Sequence, residues 1–404
     1  PDKVAFTVTR SLPAFATLLL EDLVANLFGA GSGRGPLSVE VLTEGTQPPA
    51  VVARAYAENS FGSLGSGLSA DVQPAAAAVS MPGLIHDGEL RTNIAVTAGD
   101  ADVVATFELF RGLEGKVAGG VQRSIAARSQ DQWTIAQLFP GKALAGVPMT
   151  VRASLSKAAI VLASLVDNAS TDSVLYLGSR PETSWLVPVV ARAPGAGGTF
   201  WSSSVSLWNS TGSTAWVDLE YLPEATDNAA GGVHAPYLRL EPGASVVLDD
   251  VLINWFATDS GKGALAIEAT QPITVTSRVF TAGPRGGSSG NGVRAVPASS
   301  LHAGDRVLPG VRTTGGFRTS VGLVSGGGAV SFVVELRDAD GSLLASRAAS
   351  VPPRSMRQWT VQQLFGSAYR HPDPAGSLVV SGDADFLAYL TVIDGSSQDP
   401  LFVM

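Results

Sequence analysis

Two short runs, Asp167-Asn168-Ala169-Ser170-Thr171-Asp172 and Asp394-Gly395-Ser396-Ser397-Gln398-Asp399, concentrate side-chain oxygens more than any other part of the chain. Calcium is held by such oxygens, which makes Asp167, Asp172, Asp394 and Asp399 candidate ligands. Both runs lack the alternating acids and terminal Glu of an EF-hand loop. An Asx turn uses the same residue types with no metal, because a short carboxylate bonds to backbone N–H groups two or three residues on.

Other chemistry is harder to assemble. The four histidines, His86, His234, His302 and His371, stand far apart, and none has the H-E-x-x-H spacing that puts two imidazoles on one helical face. Gly62-Ser63-Leu64-Gly65-Ser66-Gly67 and Gly286-Gly287-Ser288-Ser289-Gly290 look superficially like the turn that exposes a catalytic serine, but they sit in polar, glycine-rich stretches and read as flexible connections. The adjacent acids Glu21-Asp22 and Asp249-Asp250 diverge on a helix, so they do not flank one glycosidic bond; they read as caps at a positive helix N-terminus. No catalytic residue and no cofactor is expected. Asn168-Ala169-Ser170 and Asn209-Ser210-Thr211 fit the glycosylation sequon.

Aromatic side chains could instead grip a sugar. Trp185, Trp201, Trp208 and Trp216 cluster in the sequence; Trp208 and Trp216 alternate with apolar neighbours and are expected in the core, leaving Trp185 and Trp201 as candidate exposed ligand contacts.

The elements that must position these residues come from composition and repetition. Of 404 residues, 45% are hydrophobic and only 15% charged, with 45 Gly and 24 Pro, which suits many short strands joined by tight turns. A net charge of −8 and no basic stripe argue against nucleic acid or an anionic membrane surface. There is no cysteine, hence no disulfide or thiolate site. The apolar stretch from Leu12 to Leu27 is broken by Glu21 and Asp22 and is too short to span a bilayer. The opening Pro1-Asp2-Lys3 suits a processed or excerpted product, and a removed signal peptide would fit.

Internal repeats set the organisation. Asp22-Leu23-Val24-Ala25-Asn26-Leu27-Phe28 matches Asp250-Val251-Leu252-Ile253-Asn254-Trp255-Phe256, and Gln132-Trp133-Thr134-Ile135-Ala136-Gln137-Leu138-Phe139 matches Gln358-Trp359-Thr360-Val361-Gln362-Gln363-Leu364-Phe365. Asp167 and Asp172 answer Asp394 and Asp399 in the same register. The expected order is A-B-A-B: a partial unit A1 over 1–77, B1 over 78–181, A2 over 182–301 and B2 over 302–404. Units of this size suit an immunoglobulin-like β-sandwich. Period-two alternation in Trp216-Val217-Asp218-Leu219-Glu220-Tyr221 predicts strands, and Ser331–Arg337 followed by Asp338-Ala339-Asp340-Gly341 predicts a hairpin. The fold class is all-β, each unit carrying a short helical plug in the Leu18–Phe28 segment or its counterparts, with Trp or Phe filling the core.

On the paired layout, Val187-Pro188-Val189-Val190-Ala191 with Gly197-Gly198-Thr199-Phe200, the Leu240-Glu241-Pro242-Gly243 turn and the Val166-Asp167-Asn168 and Ile393-Asp394-Gly395 turns, the chain resembles tandem Ig-like modules of bacterial secreted and surface proteins. The resemblance spans essentially the whole chain. It implies an extracellular adhesion or stalk setting and brings no catalytic residue.

Unit A2 has about 50 residues, from Val187 to near Pro236, that precede the counterpart of Val4-Ala5-Phe6-Thr7-Val8, and A1 has none. A sandwich lacking strands exposes open edges. Either the chain is a fragment whose missing strands lie upstream or in a cleaved piece that stays attached, or strands of a neighbouring subunit complete A1. On the second reading the expected protein is a non-catalytic rod of four units that self-associates by strand pairing at A1 into a surface filament, with a carbohydrate- or surface-ligand-binding module as the alternative.

Overall fold

The computed structural model describes residues 6–32, 35–42, 48–59, 62–69, 78–142, 144–283 and 286–404. It is predominantly β, with 56% strand against 8% helix, so the fold class is all-β.

In segment A1 only two strands form, β1 (Val52–Asn59) and β2 (Gly62–Ser69), paired with each other antiparallel. Phe6, Thr7 and Val8 take no strand, and Val4 and Ala5 lie outside the described residues.

Segment B1 runs β3 (Ala78–Leu84), β4 (Leu90–Ala98), β5 (Val103–Arg111), β6 (Gly115–Ile125), β7 (Gln130–Thr134), β8 (Met149–Leu155), β9 (Ala159–Asp167) and β10 (Ser173–Leu177). Two antiparallel sheets result, β3-β8-β5-β6 and β10-β9-β4-β7. Their inward residues, among them Met81, Phe107 and Val151 from one sheet and Ile94 and Val161 from the other, share one buried apolar core. This is the outcome of period-two alternation, one face in and one face out.

Segment A2 contains β11 (Glu182–Pro194), β12 (Phe200–Asn209), β13 (Ala215–Pro223), β14 (Val233–His234), β15 (Leu238–Leu240), β16 (Ser245–Leu248), β17 (Gly261–Ala282), β18 (Ser288–Val293) and β19 (Val296–Pro297). The long β17 organises it. Its first half lies between β11 and β13, and its second half between β12 and β18. The A2 core also takes in Val324, Met356, Tyr389 and Phe402, which belong to B2.

Segment B2 runs β20 (His302–Val311), β21 (Phe317–Ser325), β22 (Val330–Arg337), β23 (Leu343–Val351), β24 (Met356–Thr360), β25 (Gly376–Asp394) and β26 (Pro400–Val403) around the spine β25. The predicted hairpin is β22–β23, turning through Gly341 at φ 90°.

Short helical segments stand where the repeats place them: Leu23–Leu27, α1 (Ile135–Leu138), α2 (Val251–Phe256) and α3 (Val361–Phe365). In α1 and α3 the sequence Thr-x-x-Gln forms a capping box. Thr134 Oγ1 accepts from Gln137 N at 3.1 Å, and Gln137 Oε1 accepts from Thr134 N at 2.9 Å. Thr360 and Gln363 do the same at 3.1 and 3.0 Å. Each box satisfies two N–H groups that a helix start otherwise leaves open. Phe139, Phe256 and Phe365 are buried beneath these segments, whereas Phe28 is only half-buried.

The expectation of a rod fails here. Ser63, near the start of the chain, donates its N–H to Asp394 Oδ2 at 3.0 Å, so B2 folds back onto A1.

Candidate functional site: a repeated carboxylate clasp

The two oxygen-rich runs are turns that close β9 onto β10 and β25 onto β26, with Asp167 N bonded to Asp172 O and Asp394 N to Asp399 O. Each first aspartate caps its own turn. Asp167 Oδ1 accepts from Ala169 N and Ser170 N, both at 2.9 Å, and Asp394 Oδ1 accepts from Ser396 N at 2.8 Å and Ser397 N at 3.4 Å. This is the Asx geometry that the residue types allow.

The second oxygen of each reaches into a different segment. Asp167 Oδ2 accepts from Ser288 N at 2.8 Å and Ser288 Oγ at 3.1 Å; Asp394 Oδ2 accepts from Ser63 N at 3.0 Å and Ser63 Oγ at 2.7 Å. Ser170 and Ser397 complete the exchange, donating to Ser288 O and Ser63 O at 2.6 Å each. The second aspartates repeat the pattern one step further along: Asp172 Oδ2 takes Gly290 N at 2.7 Å and Asp399 Oδ2 takes Gly65 N at 2.9 Å. B1 thus clasps β18 of A2, and B2 clasps β2 of A1, with the same atoms.

The glycine-rich stretches expected to be flexible loops are the strands being clasped. Gly62–Ser69 and Ser288–Val293 are extended by antiparallel pairing with β1 and β17, and glycine permits the close approach: a Cβ on Gly65 would lie 2.6 Å from Tyr56 Cα, and one on Gly290 2.7 Å from Phe280 Cα. Strand β2 touches β10 and β26, and β18 touches the same two, so all four segments meet at one junction. Ser66 Oγ lies 2.8 Å from Ser173 Oγ and Asn291 Nδ2 donates to Pro400 O at 2.7 Å, again as counterparts.

Two arginines stand over the junction. Arg54 Nη2 meets Asp399 Oδ2 at 2.5 Å, with its guanidinium 5.3 Å from the Tyr56 ring centre, and Arg278 lies 4.1 Å from that of Phe280. Burial pushes Asp172 up to about 7, against N–H donation from Gly290 and Ser173 and the charges of Arg54 and Arg278. Burial and then the Asp172 charge push Asp399 up to about 8. At Asp167 and Asp394 burial also raises the carboxyl, but N–H donation, mainly from Ser170 and Ser288 and from Ser63, outweighs it and leaves both below the ordinary value.

This surrounding answers the calcium expectation. The carboxylates face N–H groups and guanidinium, which are partners for anions, whereas calcium needs six to eight oxygens. Among the described residues no group of three metal-ligating side chains converges. The hydrogen bonds of these oxygens go to the clasped strands.

No protein-family model matches the chain, and neither does any curated protein.

The tryptophans are arranged differently from the expectation. Trp185 is 2% exposed and donates Nε1–H to Ile273 O at 3.0 Å, so it offers no face to a ligand. Trp208 is buried as expected, packed 4.8 Å from the Phe110 ring of B1. Trp216 is 49% exposed because Ala215 and Val217 on either side take the inward positions of β13. Trp201 is half-buried beside Gly195. The adjacent acids also differ. Asp22 caps Ala25 N at 3.3 Å, but Asp250 bonds Arg192 at 2.6 Å and Asp249 accepts from Ser204 Oγ at 2.6 Å. Asn209 is fully buried and bonded through Nδ2 to Leu240 O, which removes it as a glycosylation acceptor.

Sequence reasoning missed Ser63, Ser288, Arg54 and Arg278. The signal was present, since Gly62–Gly67 and Gly287–Gly292 stand one repeat apart, as the aspartates do.

Proposed function

We propose that this chain is a non-catalytic extracellular structural protein made of four Ig-like β-sandwich units in A-B-A-B order, and that strands from a neighbouring subunit finish its incomplete first unit, linking subunits into a surface filament. The extracellular setting rests on the resemblance to secreted tandem modules.

One observation carries the assembly. A1 is seated on B2 as A2 is seated on B1, yet among the described residues no strand covers in A1 the surfaces that strands cover in A2. The seating is shared in detail beyond the clasp. Thr17 N donates to Ala339 O at 2.9 Å as Ser245 N donates to Gly112 O at 2.8 Å, and the turns Pro13–Ala16 and Glu241–Ala244 lie against Gly341 and Gly115. The covering is not shared. Leu265 and Ile267 are fully buried, while their counterparts Leu37 and Val39 are 47% and 55% exposed. A contiguous apolar face with an open strand edge favours pairing with another chain.

Electron microscopy of native surface material with an antibody against the chain tests this reading. Regular filaments carrying the label are expected; dispersed single molecules refute it.

A further inference from the structure

The two halves of the chain touch as the subunits of a symmetric dimer do. Between B1 and A2, Asp167 holds Ser288 and Asp172 holds Gly290; between B2 and A1, Asp394 holds Ser63 and Asp399 holds Gly65. The smaller contacts are reciprocal too. Ser66 of A1 meets Ser173 of B1 with 2.8 Å between the hydroxyl oxygens, and its counterpart Asn291 of A2 donates to Pro400 O of B2, where Pro400 answers Ser173. Exchanging the A1–B1 half for the A2–B2 half returns the same pattern, which is the property of an isologous two-fold interface.

A single chain supplies both halves, and this decides what else the interface accepts. A1 is continuous with B1 through the chain between Ser69 and Ala78, yet its anchors lie on B2. Ser63 bonds Asp394 and Arg54 bonds Asp399, partners 331 and 345 positions apart. Thr17 N donates to Ala339 O at 2.9 Å, and Glu21 meets Arg312 at 3.4 Å. The B2 of a second molecule offers the same atoms. Every bond that A1 gives up on its own B2 is remade on the other, which is why exchange of an identical element is a low-cost route to association. What opposes the exchange is the high local concentration of the chain's own B2, of millimolar order for a tethered partner.

We infer that the seat on B2, formed by the Asp394–Asp399 turn, β26 and the Ala339–Gly341 turn, is a docking surface for a second copy of this chain, which places its own A1 segment there. When each of two molecules seats the other's A1, the pair closes. When the exchange is not returned, one seat and one A1 segment stay open at the ends and a row of molecules extends. The exchange uses contacts already made within the chain, so it stands whether or not a partner strand completes A1.

The chain has no cysteine, so engineered ones report the exchange without background. With Ser66→Cys and Ser173→Cys in one full-length chain, a disulfide should close within the molecule in dilute solution, because the two positions are near enough for one. The covalent dimer, read on a non-reducing gel, should grow as protein concentration during oxidation is raised toward the millimolar range. Two full-length chains with tags of different length, one carrying Ser66→Cys alone and the other Ser173→Cys alone, are then mixed and oxidised. A mixed dimer is expected, formed at least tenfold faster than between Ser66→Cys and a chain carrying Leu113→Cys at a position 78% exposed. Circular dichroism and melting confirm that each variant is folded. A mixed dimer no faster than the Leu113→Cys control overturns the inference. Failure of the double variant to close overturns it as well, since A1 would then not be seated at the junction. Labelled filaments in native material without exchange would leave only the strand-completion reading standing. Exchange with only dispersed molecules in native material would leave only the docking surface.

Discussion

Replacing Asp394 with Ala removes the acceptor that ties the first hairpin of the chain to its last turn. Asp394 Oδ2 takes Ser63 N and Ser63 Oγ, and no carboxylate is left to receive them in the variant. Hydrogen bonds to an ionised acceptor contribute about 1.5–3 kcal/mol each, and Ser63 N–H becomes a buried donor without a partner. Taking the lower figure for the two bonds gives about 3 kcal/mol, which is about a hundredfold in the opening equilibrium of the hairpin. Hydrogen exchange read by mass spectrometry over residues 62–67 measures that equilibrium directly, since local opening sets amide protection. The matching change Asp167→Ala removes the same bonds to Ser288, but A2 is also joined to B1 through Trp208 against Phe110, so amides in β18 should lose less protection. Unchanged protection at 62–67 in Asp394→Ala, or an equal loss at both clasps, refutes the reasoning.

Stability should depend on pH through the junction. Asp172 and Asp399 have carboxyls raised in the folded state from 3.8 to about 7 and about 8, so the folded protein holds protons that the unfolded chain has lost. Their contribution is complete below the ordinary value and disappears as pH rises through the folded values, so the melting temperature should fall from about pH 5 to about pH 8. Asp399→Asn should flatten that slope, and a melting temperature that climbs across the interval would exclude raised carboxyls at the junction. Asp167 and Asp394, lowered in the folded state, act with the opposite sign and lose their contribution as pH falls below the ordinary carboxylate value of 3.8. Gly83→Ala and Gly310→Ala share the strain of a positive φ, about 1–2 kcal/mol, but only the first meets a strand, so chemical denaturation should show it costing about 1–3 kcal/mol more. Trp185→Ala should cost about 3–5 kcal/mol in the same assay, as loss of a buried aromatic does. A Trp185→Ala variant of unchanged stability that lost binding to a glycan array would restore the carbohydrate reading.

Local patterns were legible in the sequence where local physics decides them. Alternation marked β13 and β22, Asp-Ala-Asp-Gly marked the turn at Gly341, and Thr-x-x-Gln ahead of an apolar pair marks a helix start that the structure closes as a capping box. What escaped depends on partners distant in the chain. Gly62–Gly67 carries no periodic signal, and the carboxylates that hold it, Asp394 and Asp399, come from far along the sequence. The burial of Trp185 depends on a carbonyl, that of Ile273, which only the paired β17 brings within reach. The direction of Trp216 follows from register, and one residue of shift reverses every side chain on a strand. Repeats showed which segments are alike without showing that B1 grips A2 while B2 grips A1.

The bond from Arg54 to Asp399 joins residues 345 positions apart. During synthesis the β1–β2 ribbon is made long before the turn at Asp394–Asp399, so this clasp cannot close until that turn is made, because contacts this remote require the intervening chain to be ordered. Until then Ser63 and Gly65 of the glycine-rich strand lack their carboxylate acceptors, so this half of the junction closes later than the Asp167–Ser288 half.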